Sequence, residues 1–267
     1  EEEAPAEEEA EEEATEEEVE EERKRGTYKP RISVTVACVA LMTLLFMITR
    51  FICHSTFTGA EAYSSPSIVL SSKDRMGNRH MIDDYREAYN WLRESTAPDA
   101  RVMAWWDYGY QIAGIAKRTT LADGNTWNHE HIALIGMALS APLPEAHRIA
   151  RHLADYVLVW AGGGGDDLAK SPHLARIGNS VYPGHCSDPT CSQFGFHQDR
   201  SPTPMMASSL LYKLCMAGQM GVKVNETYFQ HVYTTKYGKM RIYKIKRVSL
   251  KSKNWIANAS NRVCDAP

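Results

Sequence analysis

Aromatic residues are missing from the first 22 positions, which hold 15 Glu and little besides Ala. A stretch with so little apolar surface cannot offset the entropy of ordering its backbone. That excludes a folded unit over residues 1–25 and leaves a disordered acidic tail or linker. Cysteine is scarce, six in 267 residues. Cys186 and Cys191 have no second pair at matching spacing, which argues against a zinc ribbon; in an oxidising compartment they are candidates for a small disulfide. Gly162 to Gly165 are not followed by Gly-Lys-Ser or Gly-Lys-Thr, so they are no P-loop. His129 and His131 stand two apart and face different sides of a helix, so a hydrolytic metal site built from them and Asp123 has poor support. No cleavable signal peptide opens the chain, and with no initiating Met it is expected to be a fragment.

What is present begins with a long apolar run. Ile32 to Thr49 is eighteen residues without a charge, and with Phe51-Ile52-Cys53 it is long enough to cross a hydrocarbon core of ~30 Å. A transmembrane helix is expected over 32–53. Arg23, Lys24, Arg25, Lys29 and Arg31 precede it against Arg50 alone just after, which puts the tail in the cytosol and residues 54–267 on the far side. Sequons at Asn225 and Asn258 are glycosylation candidates there. Beyond Arg25 the chain carries 27 basic and 18 acidic residues. That excess suits an anionic substrate, but a solvated lysine-rich surface between Lys236 and Lys253 accounts for much of it. No nucleic-acid partner is expected.

After a polar linker from Ser55 to Gly77, the spacing of Ile82, Tyr85, Tyr89 and Leu92 predicts an amphipathic helix closed by Pro98. Short strands follow at Arg101 to Ala104, Thr119 to Leu121 and Asp155 to Trp160. Between the last two lie helices from His129 to Ser140, capped by Asn128, and from Pro144 to Leu153. Strands alternating with helices predict an α/β fold. Residues 181–204 read as a loop, Met205 to Met220 as one apolar helix, and Tyr228 to Tyr233 with Met240 to Val248 as a β-hairpin. The residues from Lys251 on read as irregular.

The stretch that carries chemistry is Trp105-Trp106-Asp107-Tyr108-Gly109. Indoles only donate hydrogen bonds and an ionised Asp only accepts them, so together they saturate a hydroxyl, which does both. Such a site discriminates against an analogue lacking the hydroxyl, because its own polar groups are then left unpaired. A plainer reading stands beside this one: Asp107 caps a helix beginning at Tyr108, and both indoles are core.

The pentapeptide resembles the signature of the oligosaccharyltransferase catalytic subunit, the enzyme of asparagine-linked glycosylation. Ser65-Pro66-Ser67-Ile68-Val69-Leu70 and Asp123-Gly124-Asn125-Thr126-Trp127-Asn128 are similar to that family as well. So is Asp167-Leu168-Ala169-Lys170-Ser171-Pro172-His173-Leu174, which resembles the family's Asp-x-x-Lys-x-x-x-Met/Ile motif with Leu174 in the last place. Pro172 argues against a helical form of this motif. The resemblance implies a mixed α/β lumenal domain over 60–250, with its hairpin near 227–248, after one transmembrane helix of the endoplasmic reticulum membrane. It implies that Trp105, Trp106 and Asp107 hold the hydroxyl of an Asn-x-Ser/Thr acceptor, and that Asp167 and Lys170 support the pocket. Tyr108 and Gly109 would shape the turn, and Leu174 would touch a threonine methyl. The donor implied is a lipid-linked oligosaccharide on dolichyl pyrophosphate. The cofactor implied is a divalent metal, Mn2+ or Mg2+, with ligands and catalytic residues outside this chain. Other oligosaccharyltransferase subunits are implied partners. The alternative is a single-pass membrane protein with a lumenal interaction domain and no enzymatic role.

Overall fold

A run of apolar residues satisfies its backbone without water by hydrogen-bonding to itself, and the first element has this form. The computed structural model describes residues 33–63, 68–125, 127–162 and 166–258. The acidic tail, Ser65 to Ser67, Thr126, Gly163 to Gly165, the end of the Asn258 sequon and Cys264 lie outside the described residues. The chain divides into two compact units, 1–65 and 66–267. In the first, helix α1 (Val34–Tyr63) contains a 27-residue segment, Val34–Ala60, long and apolar enough to cross a membrane. Thr43 and Thr49 turn their hydroxyls back onto the carbonyls of Val39 and Leu45 at 2.9 and 2.8 Å. Their polarity is thereby absorbed within the helix. The stretch expected to be a linker is partly ordered: α1 runs on to Tyr63, and β1 (Leu70–Lys73) pairs with β2 (Arg79–Ile82) as an antiparallel hairpin.

The second unit is built on a five-stranded mixed sheet. Helix α2 (Asp84–Ser95) buries Tyr85, Ala88, Tyr89 and Leu92, while Ile82 ends β2 instead of joining the helix. It leads into β3 (Arg101–Met103), a helical passage over 106–116, and β4 (Thr119–Thr120). Next come α3 (His129–Ser140), α4 (Leu143–Leu153), β5 (Tyr156–Trp160) and α5 (Ser171–Val181). Two short helices, α6 (Pro204–Ser208) and α7 (Leu210–Cys215), precede the hairpin of β6 (Phe229–Thr234) and β7 (Met240–Ile245). The strand order is β4-β3-β5-β7-β6, parallel among the first three and antiparallel where β7 joins β5 and β6. In β5 the successive residues Val157, Leu158 and Val159 are all buried. Neighbouring strand residues point opposite ways, so both faces of this strand are covered.

Two expectations are corrected. The single apolar helix from Met205 to Met220 is broken at Ser209, whose extended backbone bridges Pro142 and whose hydroxyl caps α7. The end of the chain is not irregular from Lys251: α8 (Leu250–Ala257) forms there, with the Ser249 side chain as its N-cap.

Helices α3 and α5 approach until backbone meets backbone. A Cβ on Gly178 would lie 2.7 Å from the Met137 amide nitrogen, and one on Gly136 would strike the Leu174 carbonyl. Overpacking of this kind costs about 1–3 kcal/mol. Gly178→Ala is therefore expected to lower the thermal midpoint of the full chain in detergent, and an unchanged midpoint would show that the two helices can slide apart at little cost.

Candidate functional site

The motif sits where β3 gives out. Trp105 is still extended, but a 3-10 turn over Trp106–Tyr108 follows at once and swings the next three side chains away from strand alternation. Asp107 lies inside this turn, and the helical segment that follows, Gly109–Gln111, has Tyr108 at its N-cap and no side-chain cap, so the capping role considered for Asp107 is not the one it plays. Gly109 comes next because nothing larger fits: a Cβ there would lie 2.5 Å from both Cα and Cβ of Asp123. A π-helical segment (Ile112–Ala116) then carries the chain to β4.

Across the sheet, β5 ends at Trp160 and the chain returns through Asp166 and Asp167 into α5. Asp166 closes this loop by accepting from the amides of Gly162 and Ala169 at 3.2 and 3.3 Å. Asp167 ties it to the motif: its Oδ2 accepts from the Trp160 amide at 2.8 Å and its Oδ1 from the Tyr108 hydroxyl at 2.6 Å. Lys170 stands between the two halves. Its Nζ donates to Asp107 Oδ2 at 2.5 Å, to the Tyr108 oxygen at 2.9 Å and to Asp167 Oδ1 at 3.3 Å, and lies 4.6 Å from the Tyr108 ring centroid.

Burial sorts these groups into supports and surface. Tyr108, Gly109 and Asp167 are buried, while Trp106, Asp107 and Lys170 are half-buried. Burial pushes the Asp167 carboxyl up from the ordinary range, against the pull of the Lys170 charge and the Tyr108 hydrogen bond. Burial, reinforced by the Asp167 and Asp107 charges, drives the Tyr108 phenol far above its usual value, so it stays protonated and donates. One group is left over. Asp107 Oδ1 is buried and has no hydrogen-bond partner among the described residues. A buried acceptor oxygen in that position takes up a hydroxyl donor, since leaving it unmatched costs more than an ordinary hydrogen bond is worth.

The structure does not bring every expected residue to this spot. Trp105 is 4% exposed and belongs to the core, its ring tilted 56° to that of Trp106 at 6.5 Å between centroids. Leu174 is fully buried under α3 and offers no surface to a threonine methyl. Pro172 does not break the motif's helix: it falls in the first turn of α5, where its missing N–H is no loss. Cys186 and Cys191 are joined as a disulfide. Asn225 is exposed, and its side-chain oxygen accepts from the Thr227 hydroxyl at 2.7 Å. Among the described residues no group of three or more His, Cys, Asp or Glu could hold a metal ion, so a divalent metal does not fit the residues described here. Sequence reasoning missed the tie between Tyr108 and Asp167. The two are 59 residues apart, and no spacing rule reaches that far.

Comparison with known proteins finds relatives over most of the chain. A family model described as the STT3/PglB/AglB core domain matches residues 98–161. The STT3B subunit of dolichyl-diphosphooligosaccharide-protein glycosyltransferase from Arabidopsis thaliana is 39% identical over 236 residues, covering 79% of this chain and 32% of that protein. The STT3 subunit from Saccharomyces cerevisiae is 38% identical over 231 residues, covering 77% and 32%. Among solved structures, the C-terminal globular domain of the oligosaccharyltransferase from Archaeoglobus fulgidus aligns with 62% of the chain and 99% of its own, at 21% identity and a TM-score of 0.43. The C. jejuni PglB C-terminal domain aligns with 60% and 99%, at 12% identity and a TM-score of 0.46. The chain spans about a third of the length of the curated relatives it matches. With the Trp-Trp-Asp-Tyr-Gly turn, its Lys170 partner and this extent of identity, the chain belongs to the STT3/PglB/AglB family, that of the oligosaccharyltransferase catalytic subunit.

Proposed function

We propose that this chain recognises the Asn-x-Ser/Thr acceptor for an oligosaccharyltransferase. In this reading the whole protein moves an oligosaccharide from dolichyl pyrophosphate to the asparagine amide nitrogen. The observation that carries the reading is the unpartnered, buried Oδ1 of Asp107, set beside the half-buried Trp106. The acceptor hydroxyl donates to that oxygen and takes a hydrogen bond from the Trp106 indole. Lys170 holds the other carboxyl oxygen, so Asp107 cannot rotate away. Tyr108 and Asp167 act behind it by fixing Lys170.

The divalent metal, manganese or magnesium, and the groups that activate the amide belong in this reading to parts of the whole protein outside the chain. Other subunits and the lipid-linked donor are met there as well. Helix α1 anchors the chain in the endoplasmic reticulum membrane, with the domain lumenal and the basic N-terminal flank cytosolic. The Cys186–Cys191 disulfide supports an oxidising compartment.

An isosteric pair of peptides tests the reading. An Asn-Ala-Thr peptide is expected to bind the full chain in detergent about 10- to 100-fold more tightly than Asn-Ala-Val, the worth of one hydrogen bond to a charged group. Equal affinity for the two, measured by calorimetry, removes the hydroxyl from recognition and the proposal with it.

A further inference from the structure

Two indoles are expected at a hydroxyl site of this kind, and one of the two in the motif, Trp105, lies in the core. Another indole stands beside the site. Trp127 is out in solvent at 94% exposed, but Trp160, the last residue of β5, is half-buried and lies against Lys170, whose Nζ is 5.8 Å from its ring centroid. The same Nζ is 4.6 Å from the Tyr108 ring centroid and 2.5 Å from Asp107 Oδ2, so two rings and a carboxylate surround one ammonium.

Trp160 is well fixed. Its amide donates to Asp167 Oδ2 at 2.8 Å and its carbonyl accepts from the Asp167 amide at 3.2 Å. Its ring meets Tyr85 of α2 edge-on, with 5.0 Å between centroids. The indole nitrogen, the side chain's sole polar atom, is nevertheless buried without a hydrogen-bond partner among the described residues. Buried indole N–H groups ordinarily find an acceptor. The edge-on contact with Tyr85 is at most a weak substitute for one.

An unmatched donor on Trp160 and an unmatched acceptor on Asp107 therefore sit around one lysine. A small anion suits them poorly, because Asp107 and Asp167 already place two carboxyl groups on that ammonium. The ligand that fits offers a donor and an acceptor a few ångströms apart. A threonine or serine within an extended peptide does this: its hydroxyl donates and its own main-chain carbonyl accepts. Residues of extended chain follow one another every ~3.3–3.6 Å, so both contacts fall within a single residue's reach. We propose that Trp160 holds the main chain of the acceptor, its indole N–H donating to the carbonyl of the hydroxyl-bearing residue. A hydroxyl contact alone leaves the peptide free to turn about it; the second contact fixes register and direction. This inference rests on the acceptor reading above.

The test uses the full chain in detergent and calorimetry with three peptides: Asn-Ala-Thr-Ala, Asn-Ala-Val-Ala, and an ester analogue of the first in which lactic acid replaces the last Ala and weakens the Thr carbonyl as an acceptor. Trp160→Phe keeps a ring beside Lys170 and removes the N–H. It is expected to bind the Thr and Val peptides about three- to tenfold more weakly than wild type, the worth of one neutral hydrogen bond, with the ratio between them unchanged. The ester is expected to bind wild type about threefold more weakly than the amide, and Trp160→Phe as well as the amide does, since both changes delete one contact. The inference is overturned if Trp160→Phe binds the amide peptides as tightly as wild type, or if it loses the preference for Thr, which would make Trp160 a support for Lys170 instead. It is overturned equally if the ester penalty is the same in both proteins, or if wild type binds ester and amide alike, a result that needs no variant to fold. All of these leave the acceptor reading standing. A wild type with equal affinity for the Thr and Val peptides overturns that reading, and this inference with it.

Discussion

Replacing Asp107 by Ala is expected to weaken binding of an Asn-Ala-Thr peptide by about 10- to 100-fold and to erase the preference for Thr over an isosteric Val. The size follows from the division of labour within one carboxylate. Its Oδ2 is already matched by Lys170, an ion pair with both side chains roughly a third exposed, and such pairs contribute little, about 0–1 kcal/mol. Its Oδ1 is the buried acceptor without a partner among the described residues, and in the proposed reading it is the oxygen that meets the ligand. The loss should therefore appear in affinity and hardly in the melting temperature. Removing the hydroxyl from the peptide and the carboxylate from the protein should not add, because both delete one contact. A variant that still favours Thr over Val by the wild-type factor would place the hydroxyl elsewhere.

How much of this was legible in the sequence depended on whether the deciding contact was local. Helix α3 was readable to the residue, because Asn128 caps it through the His131 amide three positions on and Ser140 closes its apolar run. The hairpin of β6 and β7 was readable from its two apolar runs about the turn Lys236-Tyr237-Gly238-Lys239, apart from the irregularity between His231 and Tyr233. The break at Ser209 was not. It is set by a bridge to Pro142, 67 residues earlier, and composition alone made the run look continuous. The site divides the same way. Five consecutive residues suggested a hydroxyl detector on chemical grounds, beside the plainer reading of a helix cap and two core indoles. That Lys170 would complete it came from resemblance alone, and that Trp105 and Leu174 would be drawn into the core followed from packing that neither motif encodes. The exposed Trp127 left no periodic signal, since one aromatic in a polar loop fits no helix or strand pattern.

At the opposite ends of β3 and β5 from the motif, Asp155→Ala is expected to cost about 3–5 kcal/mol of stability, because it strands a buried cation. Arg101 and Asp155 are both buried; the Asp155 carboxylate accepts from the Arg101 amide at 2.9 Å and from its Nε at 3.2 Å, and Lys253 of α8 lies 3.3 Å from the other oxygen. The same residue's backbone joins β3 to β7 through Arg101 and Ile245. Burial alone would raise the Asp155 carboxyl, but the Arg101 hydrogen bonds and charge, with Lys253, outweigh it and hold the group below its ordinary 3.8. A depressed carboxylate stabilises the fold above that ordinary value and loses its contribution as pH falls through the lower, folded one. His147 acts earlier on the same descent. Its Nε2 donates to the Lys246 carbonyl at 2.7 Å, and burial holds it below 6.5, so charging it costs stability once pH drops under that value. Wild-type stability should therefore fall in two stages on acidification, one starting near 6.5 and one below about 4. In Asp155→Ala the melting temperature at neutral pH should drop by about 10 °C, and the lower stage should shrink, with Asp74, Asp188 and Asp199 keeping their share of it, while the stage set by His147 and His185 persists. A variant that melts with the wild type, or keeps an acid step of undiminished size, would mean that the Arg101 charge is satisfied without this carboxylate.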